Sequence, residues 1–251
     1  MPTPFYHLSI AEELLEHPEL NPNGHRILEN QPCSFLFGNT APDVQVVSHQ
    51  PREATHFFSL PFQKGAEPAW ERFLKVNPSL ARLAELSPAQ AAFIAGYLCH
   101  LQADWLWIKE IFAPIFGPDL DWGSFANRLY IHNVLRAYMD QGVIAALPRQ
   151  TYACLANARP DHWLPFVEDV YLREWRDFLA VQLKPGASVQ TVEVFSRRAG
   201  ISPEDFYALL GSEKRMNQEV FAHVSREQLT GFRETLIHSN IDLLNAVWIA
   251  S

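Results

Sequence analysis

An apolar stretch that carries one histidine and one carboxylate constrains this chain more than any other feature. Residues 89–107 are almost entirely apolar, and Ser87 and Pro88 are placed to cap and begin a helix. His100 and Asp104 interrupt the stretch four residues apart, a spacing that puts both on one helix face. Because a carboxylate is costly to bury without compensation, Asp104 needs a metal ion or a paired group. The stretch therefore predicts a buried helix with a metal site or an ion pair on one face.

The rest of the chain predicts a mainly helical protein. Further helices are expected at 5–16, 68–76, 80–86, 122–146, 149–157, 165–182, 188–199, 203–211 and 226–249, and the central helix is expected to reach Ile111. The runs 44–47 and 189–195 are rich in β-branched residues but short and isolated, which gives little support for strands. No Gly/Ser-rich linker interrupts the 251 residues. The sequence therefore predicts an all-α, multi-helix single domain over 1–251, with metal-site motifs in 1–140 and helices of unknown role in 149–251.

Composition and charge narrow the class of partner. Hydrophobic residues make up 48% of the chain, enough for a substantial core. The formal net charge of −8 argues against a nucleic-acid partner or an anionic membrane surface. Three scattered cysteines, Cys33, Cys99 and Cys154, predict reduced thiols and no disulfide framework. With no signal peptide and no apolar run long enough for a transmembrane segment, the predicted location is cytoplasmic.

Polar residues from four segments form a candidate metal site. His7, Asp43 and His56 each lie within or beside an apolar stretch, as His100 and Asp104 do. Imidazole and carboxylate are the nitrogen and oxygen ligands that zinc takes, and a catalytic zinc keeps a position for water. The HxxxD pair alone is more often structural than metal-binding. The sequence therefore leaves a metal centre and a structural pair open at this point.

Four motifs in order resemble a known family. They are His7-Leu-Ser-Ile-Ala, Gly38-Asn-Thr-Ala-Pro-Asp43, Thr55-His56-Phe57 and Gly96-Tyr-Leu-Cys-His100-Leu-Gln-Ala-Asp104. Together they are similar to the zinc-dependent phospholipase C family, which is all-helical and related to zinc-dependent single-strand nucleases. The resemblance implies one metal held by Asp43, His56, His100 and Asp104. It also implies a second metal, held by Asp104, His7 and the amino terminus of the chain.

The chain departs from the family at a third metal site. The family places a histidine six residues after the aspartate of HxxxD, where this chain has Glu110, a possible oxygen ligand. A downstream HxxxE in the family corresponds to His132, with Arg136 at the position of the glutamate. An arginine cannot ligate a cation, although Asp140 stands as a possible substitute. The resemblance therefore implies zinc as cofactor, one or two ions, with an altered third site.

The leading interpretation is a metal-dependent hydrolase of phosphoester bonds, phospholipase C-like, acting on a small phosphoester or a phospholipid. Asp43 is the candidate general base that orients water, and no side-chain nucleophile is expected. Arg136 or Arg52 is the candidate for holding a phosphate oxygen. An HD-type phosphohydrolase would need a contiguous His-Asp dipeptide, which the chain lacks. The alternative from another class is a non-catalytic helical protein that keeps one structural metal and binds a partner.

Overall fold

Helices account for the regular structure of the chain. The computed structural model describes residues 1–61, 65–184 and 186–249, and no strand occurs within these ranges. The α-helices are α1 (Pro4–Leu15), α2 (Pro22–Asn30), α3 (Pro32–Gly38), α4 (Gln45–Ser48), α5 (Arg52–His56), α6 (Ala69–Val76), α7 (Pro88–Trp107), α8 (Phe125–Ala146), α9 (Gln150–Asn157), α10 (Asp169–Gln182), α11 (Thr191–Ala199), α12 (Pro203–Leu210), α13 (Glu213–Arg215) and α14 (Arg226–Ile249). Short 3₁₀-helices cover Ala41–Val44, Pro78–Leu80 and Leu83–Glu85, and π-helical turns cover Ile108–Phe116 and Met216–Val220. The predicted all-α class is confirmed.

Helix α7 is the central helix of the core. Ser87 caps it by accepting a hydrogen bond from the Gln90 N–H, as its sequence predicts. Most of its side chains are buried, on every face of the helix. A helix that is apolar all round packs against neighbours on all sides. His100 and Asp104 are therefore held inside the protein, 0% and 1% exposed.

Two glycines let α3 and α7 approach closely. A Cβ on Gly38 would collide with the Phe93 carbonyl oxygen, and a Cβ on Gly96 would collide with the Phe35 carbonyl oxygen. Each glycine therefore lies against the backbone of the other helix, a contact that larger residues cannot make. The crossing lies one helical turn before His100, so it sets the distance between α7 and the chain that leaves α3.

Other helices surround this pair and bring the remaining motifs toward it. Helix α1 contacts α3, α7 and α8, while the 3₁₀-helix Ala41–Val44 contacts α5, α7 and α10. Helix α11 packs on α8. The buried apolar side chains form one core cluster that includes members from α1, α7, α10 and α14. No helix among the described residues is both long and apolar enough to cross a membrane.

Several elements differ from the sequence-based expectation. The expected helix at 80–86 is two 3₁₀ turns. The central helix changes to π winding after Trp107, and Pro114, which cannot donate a helical hydrogen bond, lies inside that segment. Helices α2 and α3 were not expected, and a proline occupies a first-turn position in each.

The cysteines also differ from expectation. Cys33 at the start of α3 and Cys154 in α9 form a disulfide, while Cys99 is a buried free thiol. The prediction of three reduced thiols is therefore wrong for two of them. Wide sequence separation hid the pair, because the two positions are 121 residues apart in sequence and only the packing of α3 on α9 brings them together. The cytoplasmic location, which rested partly on reduced thiols, stays a prediction.

Candidate metal centre

Four elements deliver the five candidate ligands to one place. These residues are His7 from α1, Asp43 from the 3₁₀-helix Ala41–Val44, His56 from the last residue of α5, and His100 and Asp104 from α7. Four of the five are almost fully buried, at 0–1% exposure. Asp43 is the exception, because 20% of its side chain is exposed. The centre is thus a buried cluster with one partly open ligand.

The Asp104 carboxylate lies between the three imidazoles. Its Oδ1 is 3.4 Å from His7 Nε2, and its Oδ2 is 3.6 Å from His56 Nε2 and 3.8 Å from His100 Nε2. Asp43 Oδ1 lies 3.4 Å from His56 Nε2 on the other side. The possible ligand atoms of this cluster form two groups, and within each group all atoms lie within 4.8 Å of one another. One group is His7, His100 and Asp104, and the other is Asp43, His56 and His100. The two groups share His100.

Hydrogen bonds on the far side of two rings fix their tautomers. His100 Nδ1 lies 2.8 Å from the Asn39 main-chain oxygen, which can only accept, so Nδ1 carries the proton. His56 Nδ1 lies 3.0 Å from the Thr55 hydroxyl. That hydroxyl donates its single proton to the Arg52 carbonyl oxygen, so His56 Nδ1 is the donor to it. Both rings therefore present an unprotonated Nε2 to the cluster, which is the arrangement of metal-binding histidines.

The atoms that face the middle of the cluster have no hydrogen-bond partner among the described residues. They are His7 Nε2, His56 Nε2, His100 Nε2 and Asp104 Oδ1. Buried polar atoms are rarely left unpaired, since each costs about 1–3 kcal/mol. Three nitrogens and a carboxylate oxygen form the donor set that zinc prefers. The residues present therefore fit zinc, which either of the two ligand groups could hold.

The electrostatics favour the ionisation states that a metal requires. Burial and the adjacent His7 lower the pKa of His100 to about 3, and burial with the nearby Arg52 lowers the pKa of His56. Burial alone would raise the pKa of Asp104, but His100, His7 and Arg52 hold it well below its usual range. Neutral imidazoles and an ionised carboxylate are the forms that bind a cation. The cluster is therefore ready for metal at neutral pH.

Arginines border the open side of the cluster. Arg52 donates to Asp104 Oδ2 over 2.5 Å and stacks on the ring of Phe58 at 4.7 Å. Arg52 and Asp43 also line a cavity of about 490 Å³, to which Arg136 contributes from α8. Cavities of this size are typical of small-molecule sites. The metal cluster therefore opens through Asp43 onto a basic cavity.

The structure does not bring the other expected ligands to the cluster. Glu110 is exposed on the π-helical turn, and no candidate ligand group among the described residues includes it. His132 is buried among Trp107, Phe112 and Phe116, and its Nε2 accepts a hydrogen bond from Trp107 Nε1 at 3.0 Å. A nitrogen that accepts this bond has no lone pair left for zinc.

Asp140, the possible substitute ligand, is engaged elsewhere. It accepts hydrogen bonds from the hydroxyls of Thr3 and Thr191. These contacts connect α8 to the cap of α1 and to the first residue of α11. Asp140 therefore acts as a buried polar connection between three helices.

Sequence reasoning missed the groups that orient the ligands. Asn39 acts through its main-chain oxygen and Thr55 through its hydroxyl, and neither group produces a distinctive sequence pattern. Tyr97 donates to the Thr55 carbonyl oxygen over 2.5 Å and so supports α5 from α7. The only available indication was position, because Asn39 and Thr55 lie inside the motifs that supply Asp43 and His56.

Comparison with known proteins agrees with this centre. Residues 6–107 match the sequence model of the family described as zinc-dependent phospholipase C. This range, less than half of the chain, contains all five clustered residues. No curated protein and no solved structure matches the chain significantly. The match confirms the resemblance drawn from the four motifs: residues 6–107 of the chain are similar to the zinc-dependent phospholipase C family.

Proposed function

We propose that the protein is a zinc-dependent hydrolase of phosphoester bonds, with one or two zinc ions held by His7, Asp43, His56, His100 and Asp104. The observation that carries the proposal is the convergence of four unpartnered, buried ligand atoms beside a basic cavity. Zinc bound by such ligands lowers the pKa of a water molecule and offsets negative charge that develops on a phosphoryl group. The substrate is a small phosphoester or a phospholipid.

Asp43 is the residue best placed to handle a proton. It is the one clustered side chain that is substantially exposed, and it faces the cavity. Burial would raise the pKa of Asp43, but the adjacent His56 and the nearby His100 lower it strongly, so its carboxylate is ionised at neutral pH. An ionised carboxylate at the mouth of the centre can accept a hydrogen bond from water and orient it toward a phosphoester in the cavity.

Two arginines are placed to hold the phosphate. Arg52 lies against the centre itself, while Arg136 lies farther along the cavity wall. No carboxylate among the described residues lies within 4.0 Å of the Arg136 guanidinium, which donates only to Asn133 Oδ1 at 3.2 Å. Its remaining donors are thus available for phosphate oxygens, which arginine binds in pairs. Arg136, which stands where the family has a glutamate, then contacts the substrate.

Metal analysis together with a hydrolysis assay tests the proposal. The protein is purified without added metal, loaded with zinc, dialysed, and its zinc content is measured by mass spectrometry. Hydrolysis of bis(p-nitrophenyl) phosphate is then followed with and without zinc. We expect bound zinc and zinc-dependent turnover that Asp104→Asn abolishes. Protein that takes up no zinc would overturn the metal centre, and bound zinc without turnover of any phosphoester tested would support the non-catalytic alternative.

A further inference from the structure

The cavity beside the metal centre is completed by helices that lie outside the family match. Helices α10 and α11 supply Trp175, Phe178 and Leu179, together with Val194, Phe195 and Arg198, to its wall. These residues follow position 107, where the match ends. The carboxy-terminal part of the chain therefore builds one wall of the cavity.

Hydrogen bonds fix α10 to the segment that carries Asp43, and α11 to α8. Trp175 Nε1 donates to the Thr40 carbonyl oxygen at 2.8 Å, three residues before Asp43. Thr191, the first residue of α11, donates to Asp140 on α8 over 2.5 Å. Because these anchors are buried, the wall keeps a defined position relative to Asp43. A wall held in this way suits the recognition of one part of a substrate.

The charge of the cavity is opposite to that of the chain. Arg52, Arg136 and Arg198 line it, and Asp43 is the only carboxylate to do so in the part of the chain that the structure describes, although the net charge of the chain is −8. Burial lowers the pKa of Arg136 to about 10, against the opposing effect of Asp140, so it stays cationic at neutral pH. No carboxylate among the described residues lies within 4.0 Å of Arg136 or Arg198. Unpaired arginines over an apolar wall favour an anionic ligand with an apolar body.

The aromatic residues do not offset this preference. Arg136 already lies over the ring of Phe195 at 4.4 Å, so that ring face is occupied by a cation of the protein itself. Trp175 and Phe178 stack on each other at 5.5 Å and present an apolar surface. A quaternary ammonium group placed here would meet the positive charges of Arg136 and Arg198. The cavity is thus unsuited to a cationic group.

We propose that α10 and α11 form a specificity pocket for the organic part of the phosphoester. The pocket selects an organic part that combines an apolar body with a negative charge of its own, and Arg198 is the residue that pairs with this charge. This inference rests on the proposed hydrolase function for the identity of the substrate. Phe178 supplies the apolar contact.

Three non-hydrolysable probes test the charge preference directly. They are benzylphosphonates whose para substituent is a carboxylate, a carboxamide or a trimethylammonium group. Binding to the full chain is measured by titration calorimetry, in the zinc-loaded and the metal-free protein. We expect the carboxylate probe to bind most tightly and the trimethylammonium probe least tightly in both forms. Equal or tighter binding of the trimethylammonium probe would overturn the proposal.

Matched variants assign the preference to individual residues. Arg198→Gln should weaken the carboxylate probe about two- to fivefold, the range expected for a solvent-exposed ion pair, and leave the carboxamide probe unchanged. The control is Arg197→Gln, because Arg197 is the adjacent exposed arginine and does not line the cavity. Phe178→Ala should weaken all three probes alike, whereas Val181→Ala, on the exposed face of α10, should weaken none. Equal affinity of the Arg198→Gln and Arg197→Gln variants for the carboxylate probe would show that Arg198 does not bind the charge.

The binding measurements also separate the pocket from the proposed reaction. Charge-selective binding that Arg198→Gln reduces, in a protein without zinc-dependent turnover, would overturn the hydrolase function and keep the pocket. Zinc-dependent turnover with no selectivity among the probes would keep the hydrolase and overturn the pocket.

Discussion

The His100 ring donates a hydrogen bond from Nδ1 to the Asn39 main-chain oxygen over 2.8 Å. This contact directs the unprotonated Nε2 toward Asp104 and so defines one wall of the candidate metal centre. It depends on the spacing of two helices, because Asn39 follows α3 directly and His100 belongs to α7. The spacing in turn depends on Gly38 and Gly96, whose missing side chains let the helix backbones touch.

A methyl group at the crossing should separate the helices. In Gly96→Ala the new Cβ meets the Phe35 carbonyl oxygen, which is backbone and cannot move independently. Overpacking of this kind costs about 1–3 kcal/mol, and we expect a loss of that size in the free energy of unfolding of the metal-free protein. Zinc affinity should fall as well, because the contact between His100 and Asn39 lengthens. Urea unfolding and zinc titration measure the two effects.

Gly142→Ala is the matched control for this change. Gly142 lies within α8, and a Cβ there meets nothing within 4 Å. Alanine is the better helix former by about 0.5–1 kcal/mol, so this variant should be as stable as the parent or more stable. If Gly96→Ala matched Gly142→Ala in stability and zinc affinity, the close crossing would not set the site.

Asp104 lies in the candidate centre, whereas Glu110, which the family pattern offers as a ligand, is exposed. Variants of the two carboxylates therefore test which of them binds zinc. Asp104→Asn removes the charge that faces three imidazoles, and we expect zinc affinity to fall by at least tenfold, the lower range for loss of a supporting group at a metal site. Glu110→Gln changes an exposed residue and should leave zinc affinity unaltered. Competition with a fluorescent chelator measures both. A similar loss of zinc affinity in the two variants would indicate that Glu110 is a zinc ligand.

Helical structure in this chain was largely predictable from local patterns. The serine cap and apolar run of α7 are where the sequence places them. The left-handed Gly200 after α11 and the reciprocal hydrogen bonds between Ser225 and Gln228 are local features of the same kind. Such features depend on residues within one or two helical turns. Helices α2 and α3 were not expected, because proline is common both in turns and in the first turn of a helix, where Pro22 and Pro32 lie.

The candidate site was predictable only where motifs carried it. Asp43, His56 and His100 were identified because each belongs to a recognisable motif, and the structure brings them together with His7 and Asp104. Arg198 was not identified, because nothing near it in sequence distinguishes it from Arg197. Which of two adjacent arginines faces a cavity depends on how α11 packs on α8, a contact between distant parts of the chain. The same limit concealed the pairing of Cys33 with Cys154.

The disulfide gives a prediction about thiol content and stability. Denatured, unreduced protein should titrate with one thiol, that of Cys99, whereas fully reduced cysteines would give three. Replacing Cys33 and Cys154 together by serine should lower the free energy of unfolding by about 2–4 kcal/mol, because the closed loop restricts the unfolded chain. Cys99→Ser, which leaves the disulfide intact, is the comparison for thiol count. Three reactive thiols in freshly purified protein would contradict the pairing.

Asp140 should give the metal-free protein a distinctive dependence of stability on pH. Burial raises the pKa of Asp140 to about 6, against the opposing hydrogen bonds from Thr191 and Thr3. The folded state thus binds this proton more tightly than the unfolded state. The resulting stabilisation is complete below the ordinary carboxyl pKa near 4 and is lost as pH rises through 6.

The low pKa of His100 acts in the opposite direction, because the unfolded chain takes up that proton below about pH 6.5. Total stability therefore does not isolate Asp140, but its difference from Asp140→Asn does, since the His100 contribution is present in both proteins. Two pKa units correspond to about 3 kcal/mol. We expect the asparagine variant to gain about 2 kcal/mol relative to the parent between pH 4.5 and pH 7.5, measured by urea unfolding with a chelator present. Asp242→Asn, an exposed change on α14, should show the same difference from the parent at both pH values. A pH-independent difference for Asp140→Asn would mean that burial does not raise the pKa of this carboxyl. The ionised Asp140 would then stabilise the contacts of α8 with α1 and α11 at neutral pH.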